Sequence, residues 1–238
     1  MIYTESFCVR WHDTDAKREL KPSEALAYMQ ETANLQFRTH ARTLDEIRDR
    51  DGVGFILSRI AIDFLSPVYA HERIEVETAT CQGHGLTFPR RFEMKRDGGV
   101  VARAMSQWAL LRVSDRSLLK VQDAPLCFGD EEPLVTGMPL RFTVPRELSP
   151  EQVGSRQIVY SDLDYNMHMN NTKYPNMVCD FLPNANEVRI MGLSLSYYRE
   201  AAFGDVLSIE RATDDNGTWY FRAKKENVVC FEAMVRTA

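Results

Sequence analysis

Between Ser161 and Tyr174 the chain sets two carboxylates (Asp162, Asp164), three amides (Asn166, Asn170, Asn171) and one imidazole (His168) in a single stretch ahead of an apolar stripe at helical spacing. Such a stretch can do acyl chemistry. The start of a helix offers unpaired backbone N–H groups and a partial positive charge, and a carbonyl attacked by water develops an oxyanion that such donors stabilise. An imidazole with an ordinary pKa near 6.5 exchanges a proton at neutral pH, so His168 suits proton transfer. Asn166 can orient a water or a carbonyl, and Asp164 can fix its neighbours through backbone or side chains. Residue types alone give capping precedence, because Asx-rich segments before helices usually turn and cap.

The elements that must position these groups come as two copies of one plan. Val9-Arg-Trp-His-Asp13-Thr-Asp15 aligns with Ile158-Val-Tyr-Ser-Asp162-Leu-Asp164 at an offset of 149. Ile60-Ala-Ile62-Asp-Phe64 aligns with Leu193-Ser-Leu195-Ser-Tyr197 at 133. Arg91-Phe92 and Ala104-Met105 align with Tyr220-Phe221 and Ala233-Met234 at 129. Each copy reads as a short strand (3–12; 154–161), a polar loop, a helix, then three or four strands. In the first copy Pro22 opens the helix and Leu26, Met29, Ala33 and Phe37 form its stripe. In the second, Asn170 or Asn171 caps, and Tyr174, Met177, Val178 and Phe181 form the stripe. Period-two alternation at Ile60, Ile62, Phe64 and at Leu193, Leu195, Tyr197 marks strands. A helix wrapped by an antiparallel sheet is an α+β plan. The boundaries expected are 1–127 for the first unit, a proline-bearing linker over 128–145, and 146–238 for the second.

At 238 residues, 44% apolar and 26% charged, the chain has the composition of a soluble globular protein. It holds no 18-residue apolar run, and its start lacks the basic and apolar parts of a signal peptide, so no membrane association is expected. Five widely spaced cysteines (Cys8, Cys81, Cys127, Cys179, Cys230), with no Cys-x-x-Cys pair, point to small core residues in a reducing, cytoplasmic setting. The net charge of −5 gives no footprint for nucleic acid. Gly-x-Ser-x-Gly is absent, which removes support for a serine-hydrolase elbow. His12-Asp13-x-Asp15 lacks a second histidine at metal-site spacing, so neither a metal nor a cofactor is expected. Trp11, Trp108 and Trp219 read as packing residues.

The string Asp164-x-Asn166-x-His168-x-Asn170-Asn171-x-Lys173-Tyr174 resembles the motif of acyl-acyl-carrier-protein (acyl-ACP) thioesterases of plants and bacteria. A shorter form also occurs in single-hotdog acyl-CoA thioesterases, so the motif speaks more strongly for a hotdog thioesterase than for the carrier; the tandem copies favour the carrier-protein branch. Tyr197-Tyr198-Arg199-Glu200-Ala201 is similar to that family's Glu-Tyr-Arg-Arg-Glu-Cys segment. The resemblance covers nearly the whole chain. It implies a tandem (double) hotdog, two antiparallel sheets each wrapping a helix and joined side by side, with catalysis by Asp164, Asn166, His168 and Glu200 in the second unit. Ala201 stands where plant members have cysteine, which excludes a covalent Cys–His route through that position and favours activated water. Strict alternation aims Glu200 away from Leu195 and Tyr197, so a bulge near Tyr198 is expected. Asn170, Asn171, Met29 and Phe64 are expected at the substrate. The implied reaction is hydrolysis of fatty acyl-ACP to free fatty acid and carrier. An acyl-CoA thioesterase, a hotdog dehydratase and a non-catalytic acyl- or carrier-binding module are the alternatives, and a homodimer stays open. An acidic carrier would meet Lys17, Arg18, Lys21 or the group Arg90, Arg91, Lys95 and Arg96. Lys17, Glu19 and Pro67 stand where Asn166, His168 and Glu200 do, so one active site per chain is expected.

Overall fold

The structure, a computed structural model, describes residues 1–39, 43–125 and 129–238. Cys127 and the expected boundary at 127/128 lie outside the described residues. Strand β1 (Tyr3–Cys8) leads through a turn at Trp11–Asp13 into helix α1 (Pro22–Thr39), helix α2 (Leu44–Asp51) and strands β2 (Val53–Phe64), β3 (Arg73–Thr80), β4 (Phe88–Arg96), β5 (Gly99–Arg112) and the short β6 (Leu118–Leu119). The plan then repeats: β7 (Glu151–Gln157), a turn at Tyr160–Asp162, helix α3 (Tyr174–Asp180), and β8 (Ile190–Tyr197), β9 (Val206–Thr213), β10 (Trp219–Lys225) and β11 (Val228–Thr237).

All the strands form one antiparallel sheet in the order β1-β3-β4-β5-β2-β8-β11-β10-β9-β7, with β6 beside β5. The order is a palindrome of equivalents about the β2–β8 junction. There Ala61 faces Ser194, its own counterpart at the offset of 133, while Ile60 faces Leu195 and Ile62 faces Leu193. A pseudo-dyad therefore passes between Ala61 and Ser194. Joining the copies at this point buries Ile60, Ile62, Leu193 and Leu195, each at most 1% exposed. Full burial of one such side chain contributes about 1.5–3 kcal/mol.

Helices α1 and α3 pack against each other, and one core runs unbroken from Leu26 and Met29 of α1 to Met177 and Val178 of α3 and to Phe92 and Phe231 of the sheet. Helix α3 is short, because Pro183 follows closely and denies a further turn; Phe181, expected in its stripe, lies just past its end. Helix α2 was not expected. Thr43 caps it, its Oγ1 accepting from the Glu46 N–H at 3.1 Å while the Glu46 carboxylate accepts from the Thr43 N–H at 2.8 Å, and Gly52 ends it at φ +64°. Its Ile47 seals a second, smaller core with Val53, Phe88, Leu110 and Leu119.

The connection between the copies crosses the face of the sheet opposite the helices. Asp63, almost fully buried, accepts the Gly137 and Met138 N–H groups at 2.7 and 2.9 Å, and the Ser194 hydroxyl donates to the Pro139 carbonyl at 2.6 Å. Met138 lies on Gly192, where a Cβ would sit 2.4 Å from its Cγ. The tryptophans divide: Trp108 and Trp219 pack against the core, whereas Trp11 is exposed and stacks on His71. Of the described cysteines, Cys81 and Cys230 are buried as expected, Cys179 is half-buried, and Cys8 is exposed, because β1 is an edge strand.

Candidate active site

The loop after Tyr160–Asp162 is built by its aspartates. Buried Asp162 accepts from Arg156 at 2.6 Å and from the Val159 N–H at 3.0 Å, which anchors the loop to β7. Asp164 Oδ1 accepts the N–H groups of Asn166 (2.8 Å) and His168 (3.3 Å), and its own N–H donates to the His168 carbonyl at 2.9 Å. Met167 takes φ +64° at the tip. Asp164 thus acts through the backbone, and the turn it folds turns Asn166 and His168 toward one cavity. Asn170 caps the next turn, Asn171–Lys173, by accepting from the Thr172 N–H at 2.9 Å.

Glu200 arrives from the other side. Beyond the end of β8, the N–H groups of Tyr198 and Arg199 both donate to the Cys230 carbonyl, at 2.9 and 3.1 Å. Two residues against one is a bulge. It breaks the alternation where Glu200 needs it broken, and the Glu200 carboxylate stands 3.6 Å from His168 Nε2.

Asp164, Asn166, His168, Glu200 and Asn171 all line one cavity of about 1200 Å³. Much of its apolar wall comes from the first copy: Leu44, Ile47, Phe55, Leu57, Trp108 and Leu111. Tyr174 and Tyr197 also line it, their rings edge to face at 5.2 Å, and the Tyr197 hydroxyl donates to the Asn171 carbonyl at 3.0 Å. Burial raises both phenols well above the ordinary range, so they remain neutral. Two guanidiniums of the first copy reach the polar end: Arg48 donates to Asn166 Oδ1 at 3.0 Å, and Arg116 donates to Glu200 Oε2 at 2.9 Å. Neither stands out in the sequence, although the Thr43-x-x-Glu46 capping box signals the helix that carries Arg48.

Two expected substrate contacts fall elsewhere. Met29 is wholly buried between α1 and the sheet, because a residue in the middle of a core-facing stripe meets strands and not a cavity. Phe64 lines a second cavity of about 720 Å³, on the other side of the pseudo-dyad. That cavity holds the first copy's version of the loop. Asp15 Oδ1 accepts from the N–H groups of Lys17 (2.8 Å) and Glu19 (3.1 Å), and Arg18 takes φ +67° where Met167 does. The counterpart of His168 is Glu19, 3.9 Å from Arg189, and the counterpart of Asn166 is Lys17, which donates to the Ala185 carbonyl at 2.9 Å. Asp13 is held by Arg10 and Tyr28.

Of the cationic groups expected to meet a carrier, Arg18 is exposed and several others have partners within the chain. Arg90 is 4% exposed, donates to Gln36 at 2.6 Å and Thr78 at 3.0 Å, and burial lowers its pKa to about 10. Arg91, Lys95 and Arg96 pair with Glu93, Glu77 and Glu72, and Lys17 and Lys21 line the second cavity.

Two hotdog units joined edge to edge through β2 and β8, with an amide and an imidazole in one of the two matched loops, define a double-hotdog protein. The family models agree. That of the acyl-ACP thioesterase N-terminal domain matches residues 1–126, and that of the C-terminal domain matches residues 150–236. The chain belongs to the acyl-ACP thioesterase family. A chloroplastic acyl-[acyl-carrier-protein] hydrolase of Cuphea viscosissima is 24% identical over 237 residues, covering 92% of this chain and 57% of the relative. The chloroplastic oleoyl-acyl carrier protein thioesterase 1 of Arabidopsis thaliana is 25% identical over 241 residues, covering 91% and 66%. The chain thus spans less than two thirds of the length of these relatives. Among solved structures, an acyl-ACP thioesterase from Bacteroides thetaiotaomicron superposes with a TM-score of 0.89 at 23% identity, covering 100% of this chain and 98% of that one. The 12:0-ACP thioesterase from Umbellularia californica superposes with 0.85 at 15% identity, covering 100% and 97%.

Proposed function

We propose that the chain hydrolyses the thioester of fatty acyl-ACP, releasing free fatty acid and carrier. The observation that carries this reading is the convergence of Asn166, His168 and Glu200 of one copy on a cavity walled by apolar side chains of the other. The acyl chain lies against Phe55, Leu57 and Trp108, and its thioester carbon stands before the polar cluster. Glu200 and His168 take a proton from water as its oxygen bonds to that carbon, a role worth roughly 100- to 10,000-fold. Asn166 donates to the oxyanion. Collapse breaks the C–S bond, and the proton passes to the departing thiolate. Asp164 builds the loop, and Ala201, where plant members of the family have cysteine, leaves water as the nucleophile. We assign residues 1–127 to the pocket-shaping unit and 146–238 to the catalytic one, and place the enzyme in the cytoplasm on its scattered cysteines. Among the described residues no helix is long and apolar enough to cross a membrane.

Steady-state turnover with matched acyl-ACP and acyl-CoA substrates, with the products identified, tests this. Free fatty acid released at higher kcat/KM from the carrier protein is expected. Preference for the CoA thioester would move the enzyme to the acyl-CoA branch, and no turnover of either would leave an acyl-binding module.

A further inference from the structure

We propose that Arg48 and Arg116, both from the first copy, are positioning residues for the active site of the second: Arg48 fixes the polarity of the Asn166 amide, and Arg116 fixes the Glu200 carboxylate beside His168. The inference rests on the function proposed above.

An arginine side chain has only donors, so the Asn166 atom 3.0 Å from Arg48 is the carbonyl oxygen. With Oδ1 engaged, Nδ2 is the end presented to a substrate, and Asn166 meets the thioester carbonyl as a hydrogen-bond donor. The Arg48 guanidinium also lies over the Tyr165 ring, 5.9 Å from its centre, which limits its own freedom. At the other end, a single oxygen, Glu200 Oε2, is shared between Arg116 Nη2 at 2.9 Å and His168 Nε2 at 3.6 Å. Arg116 therefore determines where the carboxylate stands relative to the imidazole.

Among the described residues the helix that brings Arg48 has no counterpart in the second copy. Arg48 sits on α2, whereas the equivalent stretch before β8 forms no helix of its own. Arg116 sits at the tip of the β5–β6 hairpin. Its backbone takes φ +58°, a conformation that glycine or asparagine adopts more readily than arginine. The turn is tied below it by Asp115, which accepts from the Ser117 N–H and hydroxyl at 3.0 and 2.6 Å. The Arg116 side chain ends on Glu200. The Arg116–Glu200 pair is exposed, at 64% and 42%, so it adds little to stability. Its effect should appear in the rate.

The test measures kcat and KM on two substrates, an acyl-ACP and the same acyl group on N-acetylcysteamine, which lacks both carrier and phosphate. Arg116→Gln, Arg116→Gly and Arg48→Gln should each lower kcat on both substrates by on the order of 10- to 100-fold, the scale of a misplaced catalytic group. KM should stay within about twofold. The melting temperature of Arg116→Gly should not fall, since glycine suits the turn, and Arg116→Lys should recover part of the rate. In a Glu200→Gln background Arg116→Gln should cost nothing further, and Arg48→Gln should cost nothing further in Asn166→Ala. A KM rise confined to acyl-ACP would make the arginines carrier contacts and overturn the proposal, as would additive losses or a full-rate Arg116→Gly. Wild-type protein inactive on both substrates would refute the underlying function; an active wild type with unaffected variants would refute only the positioning roles.

Discussion

His168 and Glu19 occupy equivalent points of two loops that match hydrogen bond for hydrogen bond. In each an aspartate Oδ1 gathers two N–H groups, and the residue after the tip pairs back to the start: the Asp15 N–H donates to the Glu19 carbonyl at 2.8 Å, and the Asp164 N–H to the His168 carbonyl at 2.9 Å. The backbone is common property, and chemistry separates the copies. His168→Ala and Asn166→Ala should therefore each lose about 100- to 1,000-fold in kcat at nearly unchanged melting temperature, whereas Lys17→Ala and Glu19→Ala should spare the chemical step, as single-turnover rates would show. Asp13 supplies a pH prediction. Burial alone would raise its carboxyl, but hydrogen bonds from Arg10 and Tyr28 outweigh burial and hold its pKa below the ordinary carboxylate value. A depressed carboxylate stabilises the fold above its unfolded pKa of about 3.9 and loses that stabilisation as pH falls through the lower folded value. Melting temperatures taken from pH 6 down to pH 2 should fall for the wild type and fall less steeply for Asp13→Asn.

Elements set what the sequence could disclose. The polar loop, α1, the β2 and β8 alternation and the need for a bulge before Glu200 were all legible, because each is a local pattern of spacing or of chemical type. Helix α2 was missed because its face toward the core is Ile47 and the half-buried Leu44 alone, too narrow for a stripe. With it went Arg48, and Arg116 gave no local signal, since its partner lies 84 positions away. Met29 and Phe64 lie outside the cavity of the polar loop for the opposite reason: apolar spacing shows that a residue is buried and leaves open against what. The sequence reads 128–145 as a linker and gives no sign of how 137–139 fit against the sheet. That fit predicts that Gly192→Ala, whose new methyl would meet Met138 Cγ at 2.4 Å and the Ile62 carbonyl at 3.2 Å, costs about 1–3 kcal/mol by overpacking. Chemical denaturation would measure it, and an unchanged midpoint would show that Met138 moves aside freely.

At the scale of the molecule, two copies share one sheet, and each cavity draws on both. The pseudo-dyad has a consequence for the first copy if it is severed from the second. Its β2 edge would then be bare, an open template for another strand. The residues around Ala61 are complementary to themselves about a true two-fold axis. Ile60 would face Ile62, and Arg59 would face Asp63 with opposite charge, whereas in the intact chain Arg59 and Asp63 face Ser196 and Gly192. Residues 1–127 produced alone should therefore sediment as a closed, isologous dimer, and charge reversal at Arg59 should push that dimer toward monomers while leaving the full-length sheet joined. The strand that fuses the two halves would in that setting be a lock that fits its own key.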